Sequence, residues 1–182
     1  MARVRATSRI IPSAAAVLAA AAMSLSAAPA TAQTPPPAPC ETGGRYADFD
    51  FWVGEWDVSD TDGRLAGTNR IERVERGCLL IERWTGAGGG TGTSMNYYDP
   101  AKARWLQRWV SSNGVVIVIE GGLRDGSMVL AGALINADGT SQPFRGTWTP
   151  NADGSVRQHF EISADGGQTW ANWFDGRYVR RR

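Results

Sequence analysis

Turn signals recur at short, regular intervals along this sequence, and their spacing limits the fold more than any other feature. Clusters of Gly, Asp and Asn interrupt the chain about every 8 to 13 residues, and the runs between them alternate apolar and polar side chains, as in an antiparallel meander. No amphipathic helix is indicated among these runs. The sequence therefore predicts ten short strands, at residues 54–59, 67–75, 78–84, 92–98, 104–110, 115–120, 128–135, 144–149, 156–163 and 169–179.

Ten antiparallel strands joined by hairpins leave two exposed edges unless the sheet closes on itself. The predicted fold is therefore all-β, an antiparallel up-and-down barrel of about ten strands. A two-sheet sandwich is the alternative, but sequential hairpins without long crossovers favour the barrel. Because eight strands can already enclose a small ligand, a ten-stranded barrel is expected to contain a cavity.

A cluster of aromatic residues precedes the first strand. Phe49, Phe51 and Trp52 are too closely spaced to share one face of a strand, so we expect a tight turn that lays them across one end of the core. In the strand that follows, Trp56 and Val58 fall on the same face and are expected to point inward. The cluster is thus predicted to close one end of the barrel.

The N-terminal segment has the composition of a secretory signal peptide. Three arginines lie within the first nine residues, an apolar run covers 10–25, and Ala-Thr-Ala occupies 30–32. An uncleaved membrane anchor is the alternative, but the run is rich in alanine and interrupted by proline and serine. We expect a signal peptide at 1–32, a Pro-rich linker at 33–44 and a β-barrel domain at 45–182, which implies a periplasmic or secreted protein without stable membrane insertion.

Charge and cysteine content narrow the possible partners. Without the three arginines of the signal peptide, 16 basic residues face 18 acidic ones, a net charge of about −2 that does not suggest a nucleic-acid partner. The two cysteines, Cys40 and Cys78, form an even count in an exported chain, so we expect a structural disulfide. A metal or redox site would need further ligands or a closer cysteine pair.

Several motifs resemble those of a family of bacterial exported domains whose activity is uncharacterised. They are the Phe-Asp-Phe-Trp-x-Gly-x-Trp start, Gly77-Cys78, the segment 92–99, Trp105-x-Gln-x-Trp109, Glu120-Gly121 and Asp175-Gly-Arg-Tyr178. The Gly-x-Trp at 54–56 is also similar to the start of lipocalins, which implies a calycin-like barrel. The resemblance supports the fold and implies neither an activity nor catalytic residues.

The strand at 104–110 is the best candidate for the wall of a binding site. Trp105, Gln107 and Trp109 share one face, and an aromatic residue is paired with a polar one at the same spacing on neighbouring strands, for instance Phe160 with Gln158. Apolar walls with a few polar groups are typical of a small-molecule pocket, whereas a filled core is the alternative. The predicted ligand is a small apolar or amphipathic molecule. The predicted ligand-binding residues are Glu82, Trp84, Asn96, Tyr98, Trp105, Gln107, Trp109 and Trp148.

Two carboxylates, Glu82 and Glu120, continue otherwise apolar strands and are the acidic residues most expected to be buried. A buried pair could serve an isomerase or hydrolase as acid and base. A structural hydrogen bond, for example to Arg145, or exposure at a strand end is the favoured interpretation. A third hypothesis is a surface interaction module with a filled barrel. No residue is assigned as catalytic.

The single histidine, His159, is a poor ligand for a metal or a cofactor. Haem-binding nitrobindin-type barrels resemble this fold and raise the question of an axial haem ligand. However, Gln158 and Phe160 belong to the apolar face of the strand, which places His159 on the outer face. We therefore predict neither a cofactor nor a metal site.

The segment Ser163-Ala-Asp-Gly-Gly-Gln-Thr-Trp170 resembles the Asp-box of sialidases. In those propellers the motif forms a hairpin turn in successive blades. Here it occurs once, in a chain too short for several four-stranded blades. We interpret it as a stable turn between the last two strands rather than as a sign of sialidase activity.

Overall fold

The structure, a computed structural model, describes residues 36–181. The strands are β1 (Gly54–Ser59), β2 (Leu65–Val74), β3 (Leu79–Gly86), β4 (Thr91–Asp99), β5 (Arg104–Ser111), β6 (Val116–Arg124), β7 (Ser127–Ile135), β8 (Ser141–Pro150), β9 (Val156–Ile162) and β10 (Ala171–Arg180). Short 3₁₀ helices occupy Pro39–Thr42, Gly44–Ala47, Asp50–Trp52 and Glu75–Gly77. The predicted signal peptide and the first residues of the predicted linker lie outside the described residues.

The ten strands form one closed antiparallel barrel, which confirms the predicted up-and-down fold. Each strand pairs with its neighbour in sequence, and β1 closes the sheet by pairing with β10, where Trp56 lies opposite Arg180 and Val58 opposite Tyr178. Trp56 and Val58 are fully buried, as their spacing predicted. Closure pairs the edges that an open sheet would expose.

Strands β6 and β7 are apolar on both faces, so their alternation alone does not reveal which side chains point inward. The structure buries Ile117 and Ile119 of β6 and Leu130 of β7. Both strands extend beyond their apolar runs, because the hydrogen-bonded pairing of β6 with β7 continues to the tight turn at Asp125 and Gly126. Both turn residues have positive φ, which suits a two-residue hairpin.

The aromatic cluster at Phe49–Trp52, here called the plug, fills one end of the barrel. Phe49 and Trp52 are fully buried, and their rings stack with centroids 4.9 Å apart. Phe49 also contacts the edges of Trp105 and Trp148, at 5.7 and 5.2 Å. The indole of Trp56 donates a hydrogen bond of 2.9 Å to the carbonyl of Trp52. The turn predicted from residue spacing therefore exists and closes what we call the plug end.

A disulfide between Cys40 and Cys78 confirms the predicted pairing. It links the first 3₁₀ helix to the residue after Glu75–Gly77, across 38 positions of sequence. Arg73 adds a second link, because its guanidinium donates to the Cys40 carbonyl at 3.2 Å and forms an ion pair with Asp50. The segment before the barrel is thereby attached to the plug end. No helix among residues 36–181 is long and apolar enough to span a membrane.

Candidate functional site

A cavity of about 130 Å³ lies inside the barrel on the side away from the plug. This side, the open end, carries the loops that follow β3, β5 and β9. The side chain of Trp173 lines the cavity and is 44% exposed, so it stands at the mouth. The lining residues are Glu82, Trp84, Gln107, Trp109, Ile117, Gln158, Phe160, Trp173, Phe174 and Tyr178. The barrel is thus filled at the plug end and hollow at the open end.

An irregularity in β10 places two consecutive aromatic residues on the cavity. The register between β10 and β9 shifts between Asn172 and Phe174, which leaves Trp173 as an extra residue in the strand. Successive side chains of a regular strand point to opposite faces, whereas a bulge redirects one of them. Trp173 and Phe174 can therefore both line the cavity.

Glycines on neighbouring strands make room for the aromatic walls. The ring of Trp84 lies across Gly67, and the ring of Trp109 lies across Gly92. A Cβ atom added at either glycine would come within 3.0 Å of the indole atoms. These contacts hold each ring flat against the barrel wall, so the cavity is shaped before any ligand enters.

A chain of polar side chains runs across the cavity floor from β5 to β2. Gln107 donates a hydrogen bond to Asn96 at 2.7 Å, and Asn96 donates to the hydroxyl of Ser94 at 2.7 Å. Ser94 in turn donates to one oxygen of Glu82 at 2.6 Å, and Asn69 donates to the other at 2.7 Å. Neutral donors thus pair both oxygens of Glu82, whereas the buried Oδ1 of Asn69 has no hydrogen-bond partner.

The same floor also presents unused polar atoms to the cavity. Gln107 uses its amide nitrogen on Asn96, while Gln158 uses its carbonyl oxygen to accept a hydrogen bond of 2.8 Å from the indole of Trp148. Each glutamine therefore keeps one polar atom for the cavity. The hydroxyl of Tyr178 accepts a hydrogen bond of 3.2 Å from Asn69, which leaves its own proton to donate.

Burial is the main influence on the pKa values of Glu82 and Tyr178 in the cavity floor. The side chain of Glu82 is only 5% exposed, and its desolvation raises its pKa above the ordinary value, although the hydrogen bonds from Ser94 and Asn69 oppose this shift. Burial also raises the pKa of Tyr178 well above its usual range, and the nearby Glu82 charge adds to the effect. No basic side chain among residues 36–181 forms an ion pair with Glu82.

The residues predicted to bind a ligand divide into three groups. Glu82, Trp84, Gln107 and Trp109 line the cavity. Asn96 is buried behind the floor, in the hydrogen-bond chain. Tyr98, Trp105 and Trp148 pack near the plug, where Tyr98 contacts Tyr46 and Trp105 donates to the carbonyl of Arg45. All three groups face inward, but they lie at different depths along the barrel.

Six cavity residues were not among the predicted ligand-binding residues: Ile117, Gln158, Phe160, Trp173, Phe174 and Tyr178. The alternation of β9 does identify Gln158 and Phe160 as inward, and the same reasoning applied to β10 would have found Phe174 and Tyr178. Trp173 carries no such signal, because the bulge that turns it inward arises from the pairing of β10 with β9.

Glu120 is not buried, in line with the interpretation that the sequence favours over a buried acid–base pair. Its side chain is 34% exposed on the outer face and forms ion pairs with Lys102 at 3.1 Å and Arg104 at 3.2 Å. The Lys102 ammonium lowers the pKa of Glu120, opposite to the shift at Glu82. The inward positions of β6 are held by Ile117, Ile119 and Gly121, so Glu120 necessarily points outward.

Two further polar residues lie on the outer face. Arg145 does not reach Glu82; it binds both oxygens of Glu161 at 2.6 and 2.8 Å. His159 is half-buried, in register with Asp175 of β10, while its neighbour Gln158 points into the cavity. His159 thus does not line the cavity.

The Asp-box segment forms the predicted turn between β9 and β10. The hydroxyl of Ser163 donates to Asp165 at 2.7 Å, and Asp165 accepts from the backbone and the hydroxyl of Thr169 at 2.8 and 2.6 Å. These hydrogen bonds hold the pKa of Asp165 far below its usual range. The guanidinium of Arg145 lies 4.2 Å from the ring centre of Trp170. The side chains of Ser163, Asp165 and Thr169 are thus all used to stabilise the turn.

Comparisons with known proteins do not assign this chain to a family. Neither the models of protein families nor the curated protein sequences contain a match to it. Within the part of the chain that the structure describes, no group of three or more His, Cys, Asp or Glu side chains could hold a metal ion. The geometry of the cavity therefore carries the functional argument.

Proposed function

We propose that this protein binds a small, largely apolar molecule in the cavity at the open end of the barrel. The observation that carries the proposal is a hollow of about 130 Å³ with aromatic walls and a polar floor, placed where a filled core would otherwise continue. Apolar walls with a few orienting polar groups are the usual composition of a small-molecule site.

The dimensions restrict the ligand to a small group. An engineered protein cavity of about 150 Å³ holds one benzene ring. A cavity of about 130 Å³ thus accommodates one ring or a compact branched alkyl group, and any longer part of the ligand must extend through the mouth past Trp173. The free polar atoms of Gln107, Gln158 and Tyr178 would orient a polar substituent at the floor.

The pairing of Gly92 with Trp109 supplies a direct test. In Gly92→Ala the added methyl group overlaps the indole, so the ring must move toward the cavity and reduce its volume. We expect saturable quenching of tryptophan fluorescence by small probes such as phenol, benzylamine and 3,3-dimethylbutan-1-ol in the wild-type protein. In Gly92→Ala the affinity should fall at least about fivefold, because ring displacement removes well-packed contacts.

Gly122→Ala is the matched control, since a Cβ atom at Gly122 meets nothing within 4 Å and its backbone does not require glycine. This variant should bind like the wild-type protein. The proposal fails if none of the probes binds saturably, or if the two alanine variants change the affinity equally.

We also propose that the protein acts outside the cytoplasm, in the periplasm or after secretion. The disulfide between Cys40 and Cys78 supports this location, because such bonds persist in oxidising compartments. Mass spectrometry of the exported chain should give an N-terminus at Gln33 and a mass two hydrogens below that of the reduced form. An N-terminus at Met1 would contradict signal cleavage.

A second candidate function is proton transfer by Glu82 in an isomerase or hydrolase. The observation that favours it is a buried, cavity-lining carboxyl whose pKa is raised by desolvation. Titration of Glu82 in the wild-type protein, identified by the signal that disappears in Glu82→Gln, tests the premise. A pKa at or below the ordinary glutamate value would remove the basis for this candidate.

A further inference from the structure

We infer that the ligand of the cavity carries a positive charge, as a protonated amine or a methylated ammonium group held between Glu82 and the aromatic walls. This inference rests on the proposed binding function and names the chemical class of the ligand. Two independent features carry it: a buried carboxyl without a basic partner among the described residues, and a set of aromatic side chains that line the same cavity.

The first feature is that no basic side chain among the described residues forms an ion pair with Glu82. Asn69 of β2 and Ser94 of β4 each donate one hydrogen bond to the carboxyl, and both donors are neutral. Tyr178 of β10 is the one titratable side chain of the described residues that shares this network with Glu82. Burying a carboxylate away from any cation is costly. A cationic ligand in the cavity that Glu82 lines supplies the missing countercharge.

The hydrogen bonds to Glu82 favour recognition of a cation over donation to a neutral ligand. Each carboxyl oxygen accepts a short bond from a neutral donor, at 2.7 and 2.6 Å, an arrangement that suits the ionised form. Each oxygen also retains a lone pair for a ligand. The hydrogen bonds therefore favour the ionised carboxylate, whereas burial opposes its negative charge until a cationic ligand binds.

The second feature is the arrangement of the rings. Trp84 and Phe174 lie edge to face, with centroids 6.0 Å apart and an interplanar angle of 78°. Phe174 and Phe160 lie 6.2 Å apart at 53°. The three rings are inclined rather than stacked, and all three line the cavity. Trp109 lines it from β5. Aromatic faces around a small cavity attract cations through their quadrupoles, as in the sites that bind choline-like groups.

Isosteric probes separate charge from shape. Choline and 3,3-dimethylbutan-1-ol have the same branched head and the same hydroxyethyl arm, but only choline is charged. We expect isothermal titration calorimetry of the mature protein at pH 7.5 to show choline binding at least about tenfold more tightly than the neutral alcohol. In Glu82→Gln this preference should disappear while binding of the alcohol persists. Glu120→Gln, which removes a surface carboxylate at the plug end, should keep the wild-type preference.

A pH series on the wild-type protein tests the same point without a variant, so it applies even if Glu82→Gln does not fold. Protonation of Glu82 removes its charge, so the affinity for choline should fall as the pH decreases through the pKa of Glu82, whereas that for the alcohol should not. Equal or tighter binding of the alcohol at every pH would overturn the inference and leave the proposed cavity function standing. Failure of both probes to bind would overturn the inference, and the proposed cavity function would fall with it only if phenol and benzylamine also fail to bind.

Discussion

Replacing Phe49 by alanine tests whether the plug stabilises the barrel. The side chain is fully buried and touches three indoles: Trp52 at 4.9 Å, Trp148 at 5.2 Å and Trp105 at 5.7 Å between ring centres. Truncating a buried phenylalanine typically costs about 3–5 kcal/mol, because transfer free energy and cavity formation add. The strands that carry Trp105 and Trp148 are paired on both sides in the closed barrel, so the space should collapse poorly. We therefore expect Phe49→Ala to lose about 4 kcal/mol.

This loss is a large part of the stability of a single domain, which is about 5–15 kcal/mol. Urea denaturation followed by far-ultraviolet circular dichroism would measure it from the midpoint and slope. Phe51→Ala is the matched control: its ring lies 5.5 Å from Phe49 but is only half-buried, and we expect a loss of about 1–2 kcal/mol. A loss below about 1.5 kcal/mol in Phe49→Ala, or equal losses in both variants, would refute the view that the plug fills the core.

Three further predictions concern stability. Replacing Cys40 and Cys78 by serine should lower the free energy of unfolding by about 4 kcal/mol, because the disulfide closes a loop spanning 38 residues and so reduces the entropy of the unfolded chain. Urea denaturation would measure the loss, and a value below about 1 kcal/mol would contradict this. The Ser155 hydroxyl and backbone lower the pKa of Asp153 from 3.8 to about 2, so its contribution should be complete above pH 4 and vanish as the pH falls through 2. The stability difference between wild-type protein and Asp153→Asn should therefore shrink from pH 5 to pH 2; a constant difference would exclude this linkage. Burial raises the pKa of Glu82 above 4.5 in the folded protein. The stability of the wild-type protein should therefore decline relative to that of Glu82→Gln as the pH rises from 4.5 through the folded-state pKa. A stability difference that does not change with pH would argue against the raised pKa.

Features that depend on neighbours in sequence were predictable. Turn residues between alternating runs indicated ten strands, and the resulting edges made closure into a barrel the favoured solution. The crowded spacing of Phe49, Phe51 and Trp52 excluded a strand and predicted the turn that became the plug. Cys40 and Cys78 form an even pair in a chain with a predicted signal peptide, which favours a disulfide.

The location of the site within the barrel depended on tertiary structure. Alternation placed Trp105 and Trp109 of β5 on the same inward face, but Trp105 packs beside the plug and Trp109 lines the cavity. A period of two defines the face of a strand and says nothing about depth along the barrel axis. Depth follows from the tilt and stagger of all ten strands, which are properties of the closed sheet.

Sequence by itself therefore determined the class of fold, the plug, the disulfide partners and the turn at Ser163–Trp170, because each depends on local spacing or on a simple count. Tertiary structure alone decided that a cavity remains at the open end, that a bulge turns Trp173 into it and that Glu120, unlike Glu82, pairs with surface cations. The physical reason is that these outcomes depend on the register between strands, which forms only when distant segments of the chain pair.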